Sequence, residues 1–156
     1  METLEPILKA HSFFQGLEQK YLDFIVGCAS NVRFKADEVI LQEGEPADKF
    51  YLVRAGRVAI YIAKPSSITI QTIHEGDILG WSWLIPPHRN RFSARAVEDT
   101  RAIALDGKCL RNKCENNHDL GYELLKRIVN VLSERLEATR VQLLDIYNMD
   151  QNNEAS

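Results

Sequence analysis

No apolar run in this chain approaches the roughly 18 residues that a membrane-spanning helix needs. The N-terminal METLEPILKAHSFF has no basic stretch leading into an apolar core, so no secretory leader is read there. Cysteines are few: Cys28, Cys109 and Cys114, an odd number that cannot all pair within one chain. Cys28 lies in an apolar helical stretch and is expected to be buried. Cys109 and Cys114 are placed too irregularly for a zinc knuckle. The expectation is reduced thiols, in keeping with a cytoplasmic location. Histidines are scattered at His11, His74, His88 and His118, without the closely spaced His-x-His of a metal-binding barrel. No metal site is expected, nor axial ligands for a haem, nor the N-terminal cysteine cluster of an iron–sulfur sensor. No Ser-His-Asp set or carboxylate pair emerges, so no catalytic residue is assigned and an enzyme is not expected. Positive charge is not in excess either, with 19 Lys+Arg against 22 Asp+Glu and a net charge of −3. That excludes a nucleic-acid surface spread over the whole domain, although not a local basic patch.

What remains is an ordinary globular composition, 45% apolar and 26% charged over 156 residues. At this size folding removes about 70% of the unfolded surface from water, enough for one core without metals. Residues 3–30 read as helical, with Leu4, Ile7 and Leu8 and then Leu17, Tyr21, Leu22 and Ile25 at helical spacing. Residues 31–106 read as about seven short strands: Val32–Phe34, Val39–Leu41, Phe50–Val53, Val58–Ile62, Ile68–Ile73, Phe92–Val97 and Ala102–Leu105. Turn signals part them, among them Glu43-Gly44-Glu45-Pro46, Ala55-Gly56, Pro65-Ser66-Ser67 and Glu75-Gly76-Asp77. Residues 107–147 read as helical again, and 148–156 as a polar, frayed tail. The fold class is therefore mainly β with flanking helices. It is an antiparallel jelly-roll-like β-roll between N-terminal helices and a long C-terminal helix, forming one domain over residues 1–147.

The last helix has its own signature. Leu120, Leu124, Ile128, Leu132, Leu136, Leu143 and Ile146 follow one another in steps of four and three, with Thr139 filling the seam. A continuous helix of about 28 residues is about 42 Å long. That exceeds the roll beside it, so part of the seam needs a partner. One reading folds the helix back on its own roll. The other pairs it with its copy in a two-fold dimer through Ile128, Leu132, Leu136, Thr139, Leu143 and Ile146.

Taken together, Ile40 to Gly44 (ILQEG), Phe50 to Val53 with Gly56, Val58 and Ile60, the run Gly76-Asp77-Ile78-Leu79-Gly80, and Ala94-Arg95-Ala96-Val97 carry a resemblance. With the long helix that follows, they resemble the cyclic-nucleotide-binding effector domain of the catabolite-activator and anaerobic-regulator superfamily. That domain is shared with kinase regulatory subunits and gated channels. The resemblance covers about residues 3–147. It implies a β-roll in which a short helix after the Gly-Asp turn offers free N–H groups to a cyclic phosphate. An arginine would neutralise the phosphate and a glutamate would hold the ribose 2′-hydroxyl. Carried onto this chain, the pocket walls include Ile60 and Ile70. The cassette runs from Gly80 through Trp81 and Ser82 to Arg89, Asn90, Arg91, Phe92 and Ser93. On the long helix, Thr139 takes the base-contacting place. Cyclic AMP, cyclic GMP or another small anion is the implied ligand.

Two positions depart from the pattern. Trp81 stands where the family has the ribose glutamate, and an indole cannot accept a hydroxyl hydrogen bond. Counting back from Ala96, Asn90 stands at the phosphate arginine, with Arg89 and Arg91 on either side. Pro86-Pro87 removes two N–H donors between them. Cyclic AMP is therefore expected to bind poorly, while a different anion with an apolar portion remains compatible. Trp81 and Trp83 either fill the vacated pocket, pack under the loop, line another ligand's site or meet a protein partner. Arg89, Arg91 and Arg95 form either a solvated cluster near Glu98-Asp99 or, for Arg89 and Arg91, an anion site. The expectation is a cytoplasmic, dimeric regulatory sensor domain. The alternative is a ligand-free dimeric interaction module closed by tryptophan. The helix-turn-helix of the family's transcription factors is not found in these 156 residues, so no DNA-binding domain is assigned to the chain.

Overall fold

The computed structural model describes residues 4–63 and 67–154. Most of the Pro65-Ser66-Ser67 turn, like the last two residues of the expected tail, lies outside them. The chain divides into two compact units, residues 1–120 and 121–156.

The first unit opens with helix α1 (Leu4–Ala10), a 3₁₀ turn (Ser12–Phe14) and helix α2 (Gln19–Val26). Eight strands follow among the described residues: β1 (Ala29–Phe34), β2 (Val39–Leu41), β3 (Lys49–Ala55), β4 (Val58–Ile62), β5 (Ile68–Ile73), β6 (Ile78–Leu79), β7 (Ser93–Ala96) and β8 (Thr100–Asp106). They form two antiparallel four-stranded sheets, in the orders β1-β8-β3-β6 and β2-β7-β4-β5. This is the β-roll expected from the short strands and the turns between them. Two details differ. Strand β1 begins at Ala29, inside the segment read as helical, because Ala29 to Phe34 pairs residue for residue with Leu105 to Thr100 of β8. Strand β6 adds an eighth strand, and two residues are too few to alternate.

The run Phe50 to Val53 is buried on both faces, and alternation explains why. Tyr51 and Val53 join Leu41, Ile60 and Ala94 of the second sheet in the core between the sheets. Phe50, on the other face, packs edge-on against Phe13 of the 3₁₀ turn, ring centroids 5.4 Å apart. Gly56 turns β3 into β4 with φ of 101°, and a Cβ there would lie 2.6 Å from the Asp99 carbonyl oxygen. Only glycine fits such a close backbone crossing.

His11 fastens the N-terminal helices to the roll. It is 8% exposed, its Nε2–H donates to the Val53 carbonyl at 3.0 Å, and Nδ1 accepts from the Phe13 N–H at 3.2 Å. Burial depresses its pKa, against the opposing pull of the Val53 carbonyl and of Asp77 and Glu75. The unfolded chain therefore takes up this proton first, and stability rises with pH over the range where it does so. His11 stabilises fully above its ordinary value of about 6.5, and that contribution is lost as pH falls below it. Urea midpoints are expected to drop between pH 7.5 and pH 5. His11→Gln should flatten that dependence; an unchanged slope would remove His11 from the account.

Strand β8 runs without a loop into α3 (Gly107–Asn116). Asp106 ends the strand and caps the helix, its Oδ1 accepting from the Cys109 N–H at 2.8 Å. That hydrogen bond, with Lys49 at 3.6 Å, holds the carboxyl below its usual range. The expectation of three unpaired thiols is corrected here. Cys28 and Cys109 form a disulfide, with Cα atoms 5.8 Å apart and 81 residues between them in sequence. Such a separation leaves no local signal, and the pairing follows from the β1–β8 ladder beside it. Cys114 is free, and burial pushes its thiol up to about 11.

The second unit is helical. Helix α4 runs from His118, within the first unit, to Glu154, 37 residues in all. The tail expected to fray from Asn148 is thus helical through Glu154. No Gly or Pro interrupts the segment after Gly121, and each further residue adds one intrahelical hydrogen bond once the helix exists.

Candidate functional site

The cassette begins where β6 ends. Gly80 has φ of 86°, and a Cβ on it would sit 3.1 Å from the Lys49 carbonyl. The chain then makes one 3₁₀ turn, Trp81–Trp83, at the place of the short helix that the resemblance implied. Leu84 N–H donates to the Trp81 carbonyl at 3.2 Å, and His88 N–H to that of Ile85 at 2.9 Å. The Pro86-Pro87 peptide is cis.

From His88 onward the cassette is zipped to the loop after β2. Ala47 N–H donates to the His88 carbonyl at 2.7 Å, Asn90 N–H to that of Glu45 at 2.8 Å, and Gly44 N–H to that of Asn90 at 2.8 Å. Side chains reinforce this ladder. Arg89 Nη1 donates to the Gly44 carbonyl at 2.9 Å, Asn90 Nδ2 to that of Gln42 at 3.2 Å, and Ser93 Oγ accepts from the Glu43 N–H at 3.0 Å. Asn90 is 7% exposed, and its Oδ1 is buried without a hydrogen-bond partner among the described residues.

The two tryptophans separate. Trp83 is fully buried, with its ring 5.7 Å from Phe50. Its carbonyl accepts from Arg111 Nη1 at 2.5 Å, and its Cβ lies 2.9 Å from where a Cβ on Gly107 would stand. It packs under the loop against α3. Trp81 is half-buried and rests on Phe92, ring centroids 5.3 Å apart.

Other expected site residues are dispersed. Ile60 lies in the core cluster between the sheets. Its cross-strand neighbour on β5 is Gln71, because Ile70 falls in a bulge. Ile70 is 41% exposed. Ser82 is buried, and Arg91 is exposed. Arg95 pairs at 3.5 Å with Asp37, not with the Glu98-Asp99 turn; Arg57 takes Glu98 at 3.1 Å. Thr139, in the second unit, donates to the Arg135 carbonyl at 2.9 Å. A cavity of about 380 Å³ opens beside the zipped loop, lined by Val39, Gln42, Glu43, Tyr61, Ile62, Ala63 and Ser93. Its size suits a small molecule, and Glu43 gives it a carboxylate that the motif reading had not singled out.

The second unit carries a surface of its own. Tyr122, Val129, Leu136 and Leu143 recur every seven residues and are 50–63% exposed. Leu125, Leu132, Thr139 and Ile146 form the companion series, half-buried at Leu132 and exposed at the other three. Ile128, expected in this seam, is 2% exposed. The exposed seam thus passes through Val129 instead.

A family model described as the cyclic nucleotide-binding domain matches residues 31–117, more than half of the chain. The chain belongs to the cyclic nucleotide-binding domain family. Among curated relatives of this cyclic nucleotide-binding domain chain, the CRP-like cAMP-activated global transcriptional regulator of Mycobacterium tuberculosis is 26% identical over 94% of this chain and 65% of that protein. The cAMP-dependent protein kinase regulatory subunit of Candida albicans is 26% identical over 92% of this chain but 31% of its own length. The chain thus spans less than two thirds of either. Among solved structures, a candidate cyclic nucleotide-binding protein of Geobacter metallireducens superposes with a TM-score of 0.79 at 29% identity, covering 87% of this chain and 99% of that one. A cyclic nucleotide-binding domain from Methylobacillus flagellatus has the same TM-score at 20% identity, covering 92% of this chain and 86% of that one, a likeness of fold.

Proposed function

We propose that this protein is a cytoplasmic, homodimeric regulatory domain, not an enzyme. In this reading it answers to a small anion other than a cyclic nucleotide and passes the signal to a protein partner through α4. Regulatory relatives support the class, and among the described residues no helix is long and apolar enough to cross a membrane. The observation that carries the ligand reading is Asn90. By the resemblance it stands at the place of the phosphate arginine, and its backbone and amide hold the loop at Gln42 to Glu45. A neutral, buried amide supplies no counter-charge to a phosphate. Trp81, which rests on Phe92, stands by the resemblance where the family has the ribose glutamate. The candidate ligand residues are Gly80, Trp81, Ser82, Arg89, Asn90, Arg91 and Phe92, with Ile60 and Ile70 kept from the family pattern.

Ligand occupancy would alter the cassette and bias α4 between arrangements that a partner distinguishes. The packing of Trp81 against Phe92 also favours a second reading, a ligand-free dimeric module. Calorimetric titration separates these ideas from the family default. Cyclic AMP and cyclic GMP are each expected to bind more weakly than about 1 mM, roughly −4 kcal/mol. Micromolar binding of either would overturn the reading. Heat on titrating inorganic phosphate or a carboxylate series would support the sensor, and its absence the ligand-free module.

A further inference from the structure

The Cys28–Cys109 bridge joins two places that the fold already holds together. Ala29 pairs with Leu105 across the ladder, and the Asp106 N–H donates to the Cys28 carbonyl at 3.0 Å. Opening the bond therefore leaves both sulfurs within reach of one another, the condition for reversibility. The two ends differ in access. Cys28 is 8% exposed, whereas Cys109 is half-buried in the first turn of α3. Two residues before Cys109, Gly107 lies against Trp83. Two residues after it, Arg111 holds the Trp83 carbonyl. The bridge thus pins the stretch of α3 on which the cassette rests.

We infer that Cys28 and Cys109 form a reversible thiol–disulfide exchange site, reduced by a dithiol protein of the thioredoxin class, that sets how firmly α3 holds the cassette. Disulfides in cytosolic proteins are usually transient and redox-sensing, which suits this assignment. The reductant's thiolate attacks Cys109 Sγ, forming a mixed disulfide and breaking the Cys28–Cys109 bond; Cys28 leaves as thiolate and takes a proton. The reductant's second thiol then attacks its own sulfur in the mixed disulfide, releasing Cys109, which is protonated in turn. Two electrons and two protons pass to the chain, and the reductant leaves as its disulfide. Cys114 takes no part. This site requires no ligand in the roll, so it stands or falls apart from the sensor reading.

The test combines thiol counting with hydrogen exchange on the full chain. Alkylation under denaturing conditions should label one cysteine before native reduction by thioredoxin and three after. Re-oxidation should restore the first pattern. Amides of residues 81–92 and of α3 should exchange roughly tenfold faster in the reduced chain. Cys109→Ser should show the faster exchange without any reductant, and Cys114→Ser should exchange as the parent does, with no cysteine labelled before reduction and two after. Three labelled cysteines at the outset, a bridge that resists thioredoxin in the folded chain, or unchanged exchange at 81–92 would each overturn the inference.

Discussion

Trp83→Ala is expected to lower the unfolding free energy by about 4 kcal/mol, the upper range for large-to-small core substitutions. A domain of this size has about 5–15 kcal/mol in total, so the variant approaches the edge of folding. The cost is high because the site cannot collapse. Phe50 flanks the indole, and Gly107 stands so near that a Cβ on it would lie 2.9 Å from the Trp83 Cβ. The Arg111 hydrogen bond goes to the carbonyl and survives the change. Trp83→Phe should cost only about 1–2 kcal/mol, because it keeps most of the volume. It also removes an Nε1–H that is buried without a partner among the described residues. Urea unfolding followed by Trp81 fluorescence measures both. A loss below about 1 kcal/mol for the alanine variant would mean that Trp83 is not a core residue.

Leu136→Glu should weaken self-association at least a hundredfold, about 3 kcal/mol at roughly 1.4 kcal/mol per decade. Leu136 is 54% exposed in the single chain and stands midway in the sevenfold series from Tyr122 to Leu143. Exposed leucines, valines and isoleucines at that period have the pattern of a coiled-coil seam. Pairing would place two copies of a carboxylate in apolar surroundings, where ionised groups are strongly disfavoured. Sedimentation across a concentration series reads the shift. Glu137→Ala, one residue away and outside both series, should leave association unchanged. A parent chain that sediments as a monomer at every concentration would remove the dimer.

The roll was legible because its marks are local. The apolar run Val58 to Ile62, rich in β-branched residues, and the turn at Gly76-Asp77, where Gly76 has φ of 92°, require only neighbouring residues to be read. The site was less legible because its defining contacts are distant. Counting along the chain puts Asn90 at the phosphate position, but only its pairing with Gln42 to Glu45 shows that it is buried in holding the loop. The bulge that puts Gln71, not Ile70, opposite Ile60 leaves no trace in composition. The seam of α4 shows a different limit. Leu120, Leu124 and Ile128 follow one another in steps of four, and Tyr122, Leu125 and Val129 in steps of three and four, both helical spacings. Period alone reveals a stripe without choosing between adjacent ones.

The junction of β8 with α3 has no slack, since Asp106 belongs to the strand and Gly107 to the helix. A single inserted residue there acts like a slipped gear tooth, turning everything beyond it by about 100° at 3.6 residues per turn. Cys109 would swing away from Cys28 and Arg111 away from Trp83 in the same rotation. Both attachments depend on one shared phase, so this joint is far less tolerant of length variation than the neighbouring loops.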